Sequence, residues 1–113
     1  MQLDLIPTPR PAVNDQDIHR LLTLLADRDW LTASAISALA SFAGHAWSDR
    51  KIRAIANASA GQIISGQNGY KLTRHATLEE IRRASTWLRH QADEMRQRAI
   101  DIDRVYHRVT RPM

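Results

Sequence analysis

The chain has 113 residues, 43% hydrophobic and 25% charged, with a formal net charge of +4 and no cysteine. This length suits one domain with a single modest core, and scarce aromatics with abundant alanine favour helix. Without cysteine there is no disulfide or thiol chemistry. No apolar run approaches the roughly 20 residues that span a bilayer, and the N-terminus carries acid and prolines where a secretory signal needs apolar residues. A cytoplasmic protein with no membrane segment is expected.

The elements follow in chain order. Residues 1–13, with Pro7, Pro9 and Pro11 alternating, predict an extended N-terminal arm. Asn14 or Asp15 caps a first helix in which Ile18, Leu21, Leu22 and Leu25 form one apolar face, and the Asp27–Asp29 stretch ends it. Trp30-Leu31 has room for one or two residues of strand. Thr32 caps a second helix carrying Ile36, Leu39, Ala40 and Ala43, stopped by Gly44. Ser48 caps a third, running over 48–60 to a stop at Gly61. Its inner face is Ile52, Ile55, Ala56 and Ser59, and its outer face is Arg50, Arg53, Ala54 and Asn57.

Gln62–Ser65 and Tyr70–Thr73 read as two short strands joined by Gly66-Gln67-Asn68-Gly69, whose glycines and asparagine suit positive φ. Either Ile64 with Leu72 or Ile63 with Tyr70 faces the core, depending on register. Thr77-Leu78-Glu79-Glu80 is a capping box opening a long last helix over 77–110. Its apolar stripe (Leu78, Ile81, Ser85, Leu88, Ala92, Met95, Ala99, Ile102, Tyr106, Val109) alternates spacings of three and four. The stripe is longer than a small domain covers alone, so Leu88, Met95, Ile102 and Tyr106 are expected in an oligomer contact. Its small residues and the arginines at 82, 89 and 96 argue against a symmetric parallel coiled coil. An antiparallel dimer, or packing on another protein, stays open.

Charge is unevenly placed. Residues 1–44 carry three Arg against five Asp, and residues 75–113 eight Arg against six acids. Residues 45–74 carry Arg50, Lys51, Arg53, Lys71 and Arg74 against Asp49 alone, a local +4. A surface of this kind attracts polyanions.

The order helix, short strand, helix, turn, helix, hairpin, long helix resembles the winged helix-turn-helix superfamily of DNA-binding domains. The resemblance rests on Leu31-Thr32, on Ser48-Asp49-Arg50-Lys51-Ile52-Arg53, and above all on Ile63-Ile64-Ser65-Gly66…Gly69-Tyr70-Lys71-Leu72-Thr73. The last helix is similar to the C-terminal dimerisation helices of MarR-like and PadR-like regulators. The turn Gly44-His45-Ala46-Trp47 departs from the shorter apolar linker common in that superfamily.

The resemblance implies a mainly α fold with a small β-hairpin, a winged-helix domain over 14–76 and a C-terminal packing and oligomerisation helix. It implies a third helix in the major groove with Arg50, Arg53 and Asn57 at base edges, Arg toward guanine and Asn toward adenine. Ser48 with the helix N-terminus would meet phosphate, and Lys51 the DNA backbone. Gln67 and Asn68 at the wing tip, with Lys71 and Arg74 behind, would contact minor groove or phosphate.

No catalytic, metal or cofactor motif competes with this reading. The five histidines lack ligand spacing and have no cysteine beside them. No nucleophile elbow or phosphate loop is present. Glu79 with Arg83 and Glu94 with Arg98 look like helix-surface ion pairs. The expectation is a non-catalytic double-stranded DNA-binding homodimer, without cofactor, regulating transcription or replication. The alternative is a phage- or plasmid-type protein-interaction adaptor on the same scaffold, with a protein partner on the last helix.

Overall fold

The computed structural model describes residues 11–110. Most of the expected N-terminal arm lies outside the described residues. The chain divides between Thr77 and Leu78 into two compact units.

The first unit is three helices and a hairpin, and its helix ends are set by local chemistry. Helix α1 (Asp15–Leu25) starts with a capping box: Asn14 Oδ1 accepts the Asp17 N–H at 2.8 Å, and Asp17 Oδ2 accepts the Asn14 N–H at 3.3 Å. Its Leu21 and Leu25 are fully buried. Helix α2 (Ala33–Phe42) is capped by Thr32, whose Oγ1 accepts the Ala35 N–H at 3.1 Å. It closes when the His45 N–H reaches the Ala40 carbonyl at 2.8 Å and the Gly44 N–H the Ser41 carbonyl at 2.9 Å. This double closure needs a left-handed residue after the cap, which Gly44 supplies at φ +91°.

Helix α3 (Asp49–Asn57) is capped by Ser48, whose Oγ accepts the Lys51 N–H at 3.1 Å. Trp47 just before the cap and Ile52 inside the first turn both lie in the core, the placement of a hydrophobic staple. The helix was expected to run to residue 60 and instead stops at Asn57. Ser59 Oγ turns back to donate to the Ala56 carbonyl at 2.7 Å, and Ala60 and Gly61 take φ of +56° and +83°. A run of two left-handed residues cannot continue a right-handed helix.

Strands β1 (Ile63–Gly66) and β2 (Gly69–Leu72) pair antiparallel, with Ile63 opposite Leu72, Ile64 opposite Lys71 and Ser65 opposite Tyr70. Directly opposed residues share a face. The core-facing side therefore carries Ile63, Leu72 and the partly buried Tyr70, as the second expected alternative had it, whereas Ile64 lies with Lys71 on the opposite face, against the first. The turn is Gln67-Asn68, and only Gly69 of the four turn residues takes a positive φ. The short strand expected at Trp30-Leu31 exists as a bridge: the Leu31 N–H reaches the Tyr70 carbonyl at 2.9 Å, and the Tyr70 N–H reaches the Leu31 carbonyl at 2.8 Å. The segment before α2 thus lies along β2 as a third short rung.

The core gathers Leu21, Leu25, Ile36, Ala40, Trp47, Ile52, Ile55, Ala56, Ile63 and Leu72 from the three helices, both strands and the segment before α3. Burying each large member fully is worth about 1.5–3 kcal/mol, which holds three short helices that would be marginal alone.

The second unit is helix α4 (Leu78–Thr110), 33 residues in one uninterrupted run, about 50 Å long. Glu79 pairs with Arg83 at 2.8 Å as expected, whereas Glu94 turns to His90 at 3.2 Å and not to Arg98. No helix among the described residues is long and apolar enough to cross a membrane.

Candidate nucleic-acid interface

Helix α3 divides sharply along its length. Ile52, Ile55, Ala56 and Ser59 are buried, while Arg50, Arg53 and Asn57 are exposed. The apolar positions fix the rotation of the helix, and that rotation alone puts the two guanidinium groups and the amide outward. Asn57 is the last helical residue, so its side chain leaves from the C-terminal turn.

The five cations of residues 45–74 do not behave alike. Lys51 reaches across to α1, where its Nζ lies 3.1 Å from Asp17 Oδ2 and also donates to the Ala12 carbonyl. Lys71 is 9% exposed, its Nζ 3.0 Å from Asp29 Oδ1 and 5.6 Å from the Trp30 ring centroid. Both ammonium groups are thus engaged inside the unit. Lys51 was expected on DNA backbone and Lys71 as a clamp behind the wing; within the unit each also holds an ion pair. Lys51 ties α3 to α1, and Lys71 holds the outer face of the hairpin against Trp30. Arg50, Arg53 and Arg74 are all exposed.

Neither Arg53 nor Arg74 forms an ion pair with a described residue. Arg74 follows β2 in a 3-10 turn, Thr73–His75. Thr73 pins that turn, its Oγ1 donating to the Gly61 carbonyl at 2.6 Å and its N–H to the Gln62 carbonyl at 2.9 Å. Gln67 and Asn68 are exposed at the hairpin tip. Ser48 is exposed too, but its oxygen already caps α3, which leaves its hydroxyl proton to donate outward.

Asp17 is the carboxylate that sequence reasoning missed. It is 7% exposed and sits between Lys51 and Arg20, the latter at 3.6 Å. Burial by itself pushes its carboxyl up. The hydrogen bonds from Lys51 and the Asn14 N–H, with the charges of Lys51 and Arg20, outweigh that and hold it below the ordinary value of 3.8. The one available signal was its place as the third residue after the Asn14 cap, where a capping box wants an acceptor.

Comparison with models of known protein families, with curated proteins and with solved structures found no match in any of the three.

Proposed function

We propose that the chain is a non-catalytic double-stranded DNA-binding protein of winged helix-turn-helix type that regulates transcription or replication as a homodimer. The observation that carries this reading is the two-sided α3, apolar residues sealed in the core and Arg50, Arg53 and Asn57 projecting from the other side. Its support is the setting. The helix is followed by a hairpin with an exposed polar tip, and Leu31 bridges to Tyr70 in the position of a winged domain's short first strand. In this reading α3 enters the major groove, Arg50 and Arg53 meet guanine edges, and Asn57 meets an adenine edge. Arg74, Gln67 and Asn68 lie along the flanking phosphates or minor groove. Lys51 and Lys71 shape the surface without touching DNA. Leu88, Met95, Ile102 and Tyr106 join two copies through α4.

The test is a gel shift of the whole chain against a library of promoter-containing duplexes, beside the Arg50→Ala plus Arg53→Ala variant. Each guanine-reading arginine is worth about 1–3 kcal/mol, so the double variant should bind its best site at least about 30-fold more weakly. Equal shifts by both proteins would remove α3 from the interface.

A second reading, a protein-interaction adaptor on the same scaffold, is favoured by one observation: the apolar stripe of α4 stands open to solvent in the single chain. A monomer that retains no DNA at physiological salt would turn the argument toward it.

A further inference from the structure

Helix α4 exposes large apolar residues along most of its length, with Leu88 59%, Met95 67%, Ile102 64% and Tyr106 61% accessible. We infer that this stripe is covered by the same stripe of a second copy running antiparallel, centred between Asp93 and Glu94. The inference rests on the homodimer of the proposed function and supplies its geometry.

Residue volume carries the orientation. The stripe alternates two series, Leu78, Ser85, Ala92, Ala99, Tyr106 and Ile81, Leu88, Met95, Ile102, Val109. Through the middle of the helix, the first series is small and the second large. In a parallel pair each layer faces itself. Ala92 would meet Ala92 and Ala99 would meet Ala99, between layers of paired Leu88, Met95 and Ile102. Helices held apart by the large layers leave voids at the small ones, and protein contacts do not keep voids.

Reversing one helix places the two series opposite each other. About that centre, Met95 faces Ala92, Leu88 faces Ala99 and Ile102 faces Ser85 of the second copy. Every middle layer is one large over one small residue, which lets the helices pack at even spacing. The same centre uses the whole stripe, bringing Leu78 to Val109 and Ile81 to Tyr106.

Charge does not choose the orientation. A parallel pair brings Arg98 alongside Asp103 of the second copy, and the antiparallel pair brings Arg82 alongside Asp103 but also Arg89 alongside Arg96, each contact occurring twice by symmetry. Residue volume therefore sets the orientation and register.

The chain has no cysteine, so single cysteines report contacts cleanly. Leu88→Cys and Ala99→Cys are made separately, then oxidised alone and as a mixture, while light scattering gives the mass of the unmodified chain. A dimeric mass with a disulfide dominant in the mixture supports the geometry. Alone, each cysteine lies roughly 16 Å from its copy in the antiparallel pair, beyond the ~7 Å that a disulfide bridges. Ser85→Cys mixed with Ile102→Cys reads the same register from a second layer. Efficient disulfides from Leu88→Cys alone, or a dimer that crosslinks in neither mixture, overturn the arrangement while leaving dimerisation standing. A monomeric mass overturns the arrangement and the homodimer together, and the gel shift judges DNA binding independently of both.

Discussion

Gly69 is where one methyl group tests the packing of the hairpin on the helices. A Cβ built there would lie 2.0 Å from the Leu31 carbonyl oxygen, 2.5 Å from its carbon and 2.7 Å from Thr32 Cα. Contacts under 3.0 Å require something to shift, and here the obstacle is backbone, so the 30–32 segment must retreat by about 1 Å. That retreat strains both bridge hydrogen bonds between Leu31 and Tyr70, each worth about 0.5–1.5 kcal/mol. It also pulls on the Thr32 cap of α2, worth about 1 kcal/mol. Gly69 further sits at φ +109°, where an L residue adds about 1–2 kcal/mol. Gly69→Ala should therefore cost about 3–5 kcal/mol, a large part of the 5–15 kcal/mol typical of a domain.

Two other glycines separate the causes. Gly44 has φ +91° with nothing within 4 Å of its Cβ direction, so Gly44→Ala should cost only about 1 kcal/mol. Gly66 meets only the movable Trp30 ring at 3.3 Å, so Gly66→Ala should stay within about 1 kcal/mol of the parent. Urea unfolding followed by tryptophan fluorescence and helical circular dichroism ranks all three. If Gly69→Ala is no worse than Gly44→Ala, the close approach of Leu31 to the hairpin is refuted.

Further expectations concern the charged groups. Lys51→Ala and Lys71→Ala should each lower stability by about 1–2 kcal/mol through lost pairing and packing. Their affinity for DNA at a fixed salt should stay within about threefold of the parent, whereas Arg74→Ala should weaken binding and flatten its salt dependence by about one phosphate contact. A lysine variant that loses binding but no stability would reverse these assignments. Asp17→Asn should destabilise by about 1–2 kcal/mol at pH 7, since it leaves Lys51 without its carboxylate. The carboxyl is held below 3.8 only in the folded chain, so its contribution is full above about pH 4 and fades as pH falls through the lowered value. The gap between parent and variant should close toward pH 2 in urea titrations, and a gap that stays constant would contradict the pairing.

Much of this fold could be read before any coordinates. The caps at Asn14, Thr32 and Ser48, the stop at Gly44 and the two faces of α3 depend on residues within four positions of each other. Helical geometry turns that spacing directly into contact, so the exposed side of α3 followed from where its isoleucines fall. The long α4 followed in the same way from an unbroken stripe.

What only the tertiary structure decided lies between distant segments. The hairpin register set Ile63 against Leu72, a choice made by which pair could reach a core built from three helices. That Lys51 and Lys71 lie within 3.1 and 3.0 Å of Asp17 and Asp29 was not legible in the sequence. Gly69 looked like an ordinary turn residue, and its conformation was indeed foreseeable. The reason no side chain fits there is the Leu31 backbone, brought across by the packing of α2. The sequence by itself determined the helices and their faces, because those interactions are local. The fold decided which carboxylates meet Lys51 and Lys71, because those pairs join residues brought together from far along the chain.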